Sequence, residues 1–399
     1  RRFAVTVAAR GPDASQLEPW VGRPLPPLPV SLAATLEGNP AAFEVSNLDA
    51  RLGPSEVVGT IQIGLGESKS ISGRLESPYL DASRFWADEP EEEPSDATQQ
   101  SPYVFDETPV VGIDDFGTEL DLELKVGELD LGNTQILDID LGIGLTGRRL
   151  ELSPLALRGA GGGAVSGGLV LDASGAAPEL RVDVTARDLR LGLAAAESQN
   201  PETYPPVDAD IMLTGTGATH RQLAASLNGK VRFYARSGQI ASSGLGLILN
   251  DFLTELLTSL NPFSQKSEYT TLDCSVTAAT FVDGQVEVFP VVYQTEQLTI
   301  LTQGAIDLHT EKIDLSFNTK PRKGIGISAG ILINPLIKVG GTLASPAIEL
   351  DPEKAVVSGA LAVATVGISL LAKSTYDRFL SSKDPCGDAR SEIAKRDAG

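Results

Sequence analysis

The sequence is poor in basic side chains, in histidine, in cysteine and in aromatic residues. It has 32 basic against 53 acidic side chains, which gives a net charge of −21 and a sequence pI of about 4.5. This balance argues against nucleic-acid binding, which needs a basic stripe. Two histidines and two cysteines, far apart in the chain, offer no metal-ligand spacing. We therefore expect neither a metal site nor a cofactor.

Two short motifs are typical of catalysis or nucleotide binding but lack the residues that these need. Residues 326–330 (GISAG) match a nucleophile elbow, yet both histidines, His220 and His309, precede the serine, and no βαβ pattern surrounds it. Residues 159–168 (GAGGGAVSGG) resemble a phosphate loop without its Lys-Ser/Thr pair. Both are better interpreted as glycine-rich strands or turns, so we expect no enzyme.

Alternation of apolar and polar residues dominates residues 103–350. Residues 120–126 (LDLELKV) and 137–145 (LDIDLGIGL) are two such runs. Period-two alternation places every second side chain on one face of a strand, so one face is apolar and the other polar. Forty glycines and 25 prolines suit many short strands. The sequence therefore predicts a mostly β protein built on one long antiparallel sheet.

A glycine phrase recurs among these runs, around Gly73, Gly167, Gly304 and Gly341. Each copy places a glycine just before an apolar residue that restarts the alternation, so we interpret the copies as turns. A β-bulge or a close strand crossing would also need a glycine there. The repetition indicates an elongated architecture of neighbouring units.

Two segments have helical rather than strand periodicity. Apolar residues between Leu245 and Leu260 recur every three to four positions and predict an amphipathic helix near 243–261. This helix could cover a sheet face, or it could be a lid or a membrane-facing element. From Asp351, a plausible N-cap followed by Pro352, the sequence predicts a helical C-terminal tail.

The uncharged residues 355–372 of this tail are at the lower limit of length for crossing a bilayer. Their many Ala, Gly, Ser and Thr residues favour instead a helix that packs on the sheet or dips into a membrane interface. Lys320, Arg322, Lys323 and Lys338 form a locally basic stretch. They would suit anionic headgroups, or they could be ordinary solvated charges in turns.

Composition divides the chain into four regions: residues 1–87, an upstream β segment; 88–102, an acidic, proline-rich linker or loop; 103–350, the main β domain; and 351–399, the helical tail. The chain begins at Arg1 without an initiating methionine and enters an alternating run at once. We therefore expect it to be part of a longer protein.

Distributed motifs from residue 161 onward resemble one known family. They are residues 161–167 (GGGAVSG), 180–191, 229–233 (GKVRF), 238–240 (GQI), 272–275 (LDCS), 282–284 (VDG), 304–308 (GAIDL), 341–346 (GTLASP) and 384–386 (DPC). Together they are similar to the AsmA family of the Gram-negative cell envelope, relatives of the TamB-type bridge-like lipid transfer proteins. The resemblance covers about the last three hundred residues well and the first eighty loosely.

The resemblance implies a fold, a location and a function. The fold would be a curled, groove-like or taco-like sheet with an apolar interior. The location would be the periplasm of a Gram-negative bacterium, with an inner-membrane anchor upstream of this sequence. The function would be outer-membrane biogenesis, in which the groove carries phospholipid between the two membranes. Alternatively, the protein would be an assembly factor that influences the targeting or insertion of outer-membrane proteins. Phospholipids, outer-membrane assembly proteins and, at the C-terminal end, a membrane interface are the expected partners.

The candidate acyl-chain face follows from the alternation together with this resemblance. Its predicted residues are Leu120, Leu122, Leu124, Leu137, Ile139, Leu141, Ile143, Leu150, Leu152, Leu169, Leu171, Leu180, Val182, Val184, Ile211, Leu213, Val231 and Phe233. The same face could instead be the closed core of a sandwich. In an oxidising periplasm Cys274 and Cys386 could form a disulfide, or they could be two buried thiols.

Overall fold

The structure is a computed structural model that describes residues 2–22, 25–66, 68–83, 103–110, 117–132, 134–190, 200–241, 269–296, 298–322, 337–350, 379 and 381–398. The chain forms two compact units. Unit 1 comprises Arg1–Gln100 and Pro109–Leu191, and unit 2 comprises Ser101–Thr108 and Gly192–Gly399. Most described residues lie in strands, which confirms the mostly β class. The four regions predicted from composition stay predictions.

The described part of unit 1 contains ten strands, each of which pairs with the next along the chain. The four-residue helix α1 (Glu18–Val21) follows the first strand. The strands are β1 (Phe3–Gly11), β2 (Val30–Asn39), β3 (Ala42–Leu52), β4 (Ser55–Leu65), β5 (Lys69–Asp81), β6 (Thr118–Asp130), β7 (Gln135–Thr146), β8 (Arg149–Gly159), β9 (Ala164–Asp172) and β10 (Glu179–Leu189).

The predicted antiparallel pairing is wrong at one position. Strands β5 and β6 are parallel, with Ile71 opposite Leu120, whereas the other eight pairs of unit 1 are antiparallel. A tight turn cannot join parallel strands, and here residues 82–117 form the long connection. Alternation reveals which face a side chain occupies but not the direction of the strand, so the sequence pattern gave no indication of this pair.

Unit 2 contains nine described strands and two helices. Strands β12 and β13 both pair with β14, and the pairs of unit 2 are antiparallel. The elements are β11 (Val207–Thr216), α2 (His220–Ala225), β12 (Asn228–Ala235), β13 (Gly238–Ala241), β14 (Tyr269–Val282), β15 (Gln285–Thr295), β16 (Leu298–Asp307), β17 (Lys312–Pro321), β18 (Ile337–Gly341), β19 (Pro346–Leu350) and α3 (Pro385–Ala398).

Three of the four glycine phrases are not turns, because Gly73, Gly167 and Gly304 lie inside β5, β9 and β16. A Cβ on any of these three would lie within 2.2 Å of a carbonyl oxygen of the neighbouring strand. The predicted need for glycine at a close strand approach is therefore confirmed. The turn interpretation failed at these three positions because a glycine leaves backbone pairing, and hence the strand, uninterrupted. The fourth phrase is a turn: Gly341 ends β18, and residues 342–345 lead into β19.

The C-terminal helix α3 is the described part of the predicted helical tail, and it covers one face of β14 and β15. Cys386, at its N-terminal end, forms a disulfide with Cys274 of β14, and their Cα atoms are 6.5 Å apart. Beneath the helix lies a cluster of buried apolar side chains that includes Val276, Val292 and Leu301. Helix α3 and the sheet thus form a sealed core in unit 2.

The short segment Ser101–Thr108 belongs to unit 2 although its neighbours in sequence belong to unit 1. The carboxylate of Glu311, which is fully buried, accepts hydrogen bonds from the backbone N–H groups of Val104 and Phe105, each at 2.7 Å. Phe105 packs against a second apolar cluster, which contains Val286 and Leu308. These contacts anchor the segment within unit 2.

Several predicted elements lie outside the described residues. They are the amphipathic helix near 243–261, the acidic segment 88–102, the GISAG motif at 326–330 and the uncharged stretch 355–372. Among the helices that the structure does describe, none combines the length and apolarity needed to cross a bilayer.

Candidate functional site

Three rows of apolar side chains run across the strands of unit 1. Directly opposed residues on neighbouring strands share a face of the sheet, so the register defines each row. Row A is Phe3, Gly38, Phe43, Ile63, Ile71, Leu120, Leu145, Leu150, Leu171 and Leu180; row B is Val5, Leu36, Val45, Ile61, Gly73, Leu122, Ile143, Leu152, Leu169 and Val182; row C is Leu48, Gly59, Leu75, Leu124, Leu141, Leu155, Gly167 and Val184. The rows make one face of unit 1 continuously apolar.

Most of the predicted residues of β6 to β10 fall in these rows, and two do not. Ile139 lies next to the rows, opposite Val126. Leu137 lies opposite Glu128 on β6 and Arg158 on β8. At Asp138, whose φ of 49° is left-handed, the register of β7 against β8 shifts by one residue, whereas its register against β6 is unbroken. Leu137 therefore lies two residues beyond Ile139 in the β6–β7 pair, past the end of rows A to C and beside charged neighbours.

The side chains of the rows are only partly covered. Within the described part of unit 1, the buried large aliphatic side chains are Val110, Val126, Leu145, Leu171 and Leu189. Of the predicted residues in the rows, Leu171 is buried and the rest are half-buried. In a sandwich core such side chains would be sealed by a second layer. This face instead presents apolar surface on which another apolar molecule could pack.

The opposite face of the same strands is charged and solvated. Lys125 lies 3.6 Å from Asp140, and Arg149 lies 3.2 Å from both Glu151 and Asp172. Hydrogen bonds from Ser174, with a smaller contribution from Arg149, lower the pKa of Asp172. Exposed pairs of this kind contribute about 0–1 kcal/mol each to stability. Their clearer effect is to keep this face in water.

These strands also carry the family signal. The family model described as the AsmA family matches residues 81–287, more than half of the 399-residue chain. The chain belongs to the AsmA family. All of the predicted acyl-chain residues lie inside the match, whereas the motifs from Gly304 onward lie beyond it. Comparisons with curated proteins and with solved structures found no match.

The predicted residues of unit 2 lie on β11 and β12. Ile211 lies opposite Val231, Leu213 opposite Gly229, and Phe233 opposite Ala209. Ile211, Leu213 and Val231 are half-buried and Phe233 is 38% exposed.

The predicted basic stretch of unit 2 is partly engaged within the protein. Arg322 forms an ion pair with Asp273 and donates to the Thr295 carbonyl oxygen at 2.6 Å. Lys323 lies outside the described residues. In the described ranges, no three His, Cys, Asp or Glu side chains converge as metal ligands.

The predicted set of acyl-chain residues lacks the side chains that β1 to β5 contribute to rows A to C. Phe3, Val5, Ile61, Ile63 and Ile71 have the same period-two spacing as the predicted residues. That spacing was a sufficient signal for the face of each strand. It could not show that β5 pairs with β6, because the two strands are parallel and far apart in sequence.

Replacing a leucine by alanine should distinguish an open face from a sealed core. Leu301, in the unit 2 core, is 1% exposed, so Leu301→Ala should cost about 2–5 kcal/mol of unfolding free energy. Leu122, in row B, is half-buried. Leu122→Ala should cost less than about 1 kcal/mol, because without a covering layer of side chains the truncation creates no enclosed cavity. Hydrogen exchange of peptides from β16 and β6 measures each locally. Equal large losses would mean that row B is also a sealed core.

Proposed function

We propose that this AsmA-family chain is a non-enzymatic periplasmic protein of outer-membrane biogenesis whose apolar rows hold phospholipid acyl chains between the inner and outer membranes. Family membership is consistent with a role in outer-membrane biogenesis or lipid transport. The observation that carries the proposal is the partial exposure of rows A to C across the strands of unit 1.

The chemistry of the rows suits acyl chains better than a polar or aromatic ligand. Leu, Ile and Val dominate the rows, and Phe3 and Phe43 are their only aromatic members. Contact between aliphatic groups is non-directional and stabilises in proportion to the buried area, at about 25 cal/mol per Å². A flexible chain can therefore lie along the rows in many registers. The rows would therefore let an acyl chain move along them rather than hold it tightly in one position.

Mass spectrometry of organic extracts from the native protein tests this proposal. Protein purified without detergent should release phospholipid in a reproducible ratio to protein. A soluble β protein of similar size, expressed and purified in parallel, should release only background amounts. If the two extracts match, the rows do not retain lipid in the cell and the proposal is wrong.

The assembly-factor function remains a second candidate because of strand β1. Its residues 4–10 are exposed, and its pairing with β2 contains no bulge. It also lacks proline, so it has few of the features that protect strand edges from added strands. An unfolded β-barrel segment could pair there. Capture of such a segment by a photo-crosslinker at Thr6, from protein that carries no lipid, would favour this function over lipid carriage.

A further inference from the structure

A cavity of about 580 Å³ lies in unit 2 where the last turn of α3 meets the sheet. One wall is a cross-strand set on β11, β12, β14 and β15: Met212, Lys230, Thr280 and Glu287. Arg396 and Asp397 of α3 form the facing wall. Because the disulfide of Cys386 lies at the other end of α3, this end of the helix is held only by noncovalent contacts.

Three basic side chains line this cavity. Lys230, Arg232 and Arg396 line it together with only two carboxylates, Glu287 and Asp397. Lys230 Nζ lies 3.4 Å and Arg232 Nη2 lies 3.1 Å from the same oxygen, Asp397 Oδ1. One carboxylate oxygen therefore serves two cations, and the third cation pairs with Glu287 at 2.9 Å. Arg396 also lies 3.8 Å from Glu392, so the basic character of the cavity comes from Lys230 and Arg232, which share a single carboxylate.

Backbone carbonyl groups also hold Arg232 in place, beside its ion pair with Asp397. Its Nη1 donates to the carbonyl oxygens of Ala279 at 2.8 Å and of Val231 at 3.1 Å, and its side chain is 16% exposed. Carbonyl groups orient the guanidinium but leave its charge in place. Burial opposes ionisation of Asp397, but Arg232 and Lys230 outweigh burial and lower its pKa. Asp397 is thus an anionic occupant that already sits among the cations.

We propose that this cavity binds a phosphate group, which displaces Asp397 from Lys230 and Arg232. Arginine and lysine together are the usual protein ligands of phosphate, through bidentate and point-charge contacts. The volume is in the range of small-molecule sites, and Met212 and Phe281 supply apolar contacts beside the charges. The site lies in unit 2 and does not depend on acyl-chain binding by rows A to C. Its ligand is a phospholipid headgroup or a free phosphate.

Calorimetric titration of the full chain tests the site with three ligands and four proteins. The ligands are inorganic phosphate, dihexanoyl phosphatidylglycerol below its micelle concentration, and dihexanoylglycerol, which lacks phosphate. The proteins are the unmodified chain, Lys230→Gln, Asp397→Asn and Lys395→Gln. Lys395 is exposed, is next to Arg396 and does not line the cavity, so its replacement controls for the change in net charge.

Opposite effects of the two cavity variants are expected. Lys230→Gln should weaken binding of the phosphate-bearing ligand at least fivefold, because it removes a cation. Asp397→Asn should strengthen binding at least threefold, because it removes the competing carboxylate, while the disulfide keeps α3 attached. Lys395→Gln should leave the binding of both phosphate-bearing ligands unchanged. Tighter binding of the phosphatidylglycerol than of inorganic phosphate identifies a headgroup site, and the reverse identifies a site for free phosphate.

Three results would overturn the proposal. The first is the absence of saturable binding of both phosphate ligands by the unmodified chain and by Asp397→Asn. The second is equal weakening by Lys230→Gln and Lys395→Gln, which would indicate general screening of charge rather than a site. The third is equal binding of dihexanoylglycerol and the phosphatidylglycerol, which would show that the phosphate is not recognised.

Discussion

Replacing Leu141 by aspartate should reduce the phospholipid carried by the protein at least tenfold while unit 1 stays folded. Leu141 lies in row C between Leu124 and Leu155 and is half-buried. In the empty protein an aspartate there can reach water. Under an acyl chain it would be desolvated without a partner, which costs several kcal/mol. Leu141→Ala should have little effect, since a flexible ligand fills the lost volume.

A charge on the opposite face provides the matched control. Ser166 of β9 is exposed and lies opposite Ala156 and Thr185, so Ser166→Asp adds the same charge on the solvated side. It should leave lipid content unchanged. Lipid is quantified by mass spectrometry of extracts, and folding by hydrogen exchange of peptides from β6 to β8. If Leu141→Asp unfolds unit 1, the face is a closed core; if it carries full lipid, the rows do not contact lipid.

Removing the disulfide should destabilise unit 2 by about 4–5 kcal/mol. Cys274 and Cys386 are 112 residues apart in sequence, and chain-entropy arithmetic gives this value for a loop of that length. The double variant Cys274→Ala/Cys386→Ala should therefore exchange amide hydrogens much faster in β14 to β16. Unit 1 should be unaffected. Hydrogen exchange of peptides from β6 to β8 serves as the separate probe of unit 1.

Chemical reduction gives the internal control for this prediction. The protein has no other cysteine, so dithiothreitol should destabilise the unmodified chain to the same extent and leave the double variant unchanged. Because α3 also packs over Val276 and Leu301, the sheet beneath it should open locally rather than unfold completely. Unchanged protection of β14 to β16 after reduction would show that these noncovalent contacts alone hold α3.

The sequence showed which face of a strand each side chain occupies, but it did not show which elements distant in the chain pack together. Period-two alternation placed Leu122, Ile143, Leu152, Leu169 and Val182 on one face, and the antiparallel register of β6 to β10 aligned them in row B. That alignment follows from short connections, which leave neighbouring strands little freedom of register.

Three features of unit 1 and unit 2 had no usable local signal. The bulge at Asp138 requires a left-handed backbone, which aspartate adopts more readily than most residues, but the strands contain many aspartates and most of them are extended. The parallel pair of β5 and β6 depends on a long connection. The core under α3 depends on a helix that lies about a hundred residues beyond β14 in the chain. Consecutive apolar residues such as Val291 and Val292 depart from the alternation of a half-exposed strand, and in β15 Val292 is buried under α3.

Photo-crosslinking at four positions tests the central claim, that the apolar rows contact acyl chains, most directly. Crosslinkers at Leu122 and Leu141 lie in rows B and C, whereas those at Glu123 and Asp140 lie on the solvated face of the same strands. Irradiation in cells should attach phospholipid at Leu122 and Leu141 and none at Glu123 and Asp140. Equal labelling at all four positions, or none at any, would contradict lipid binding by this face.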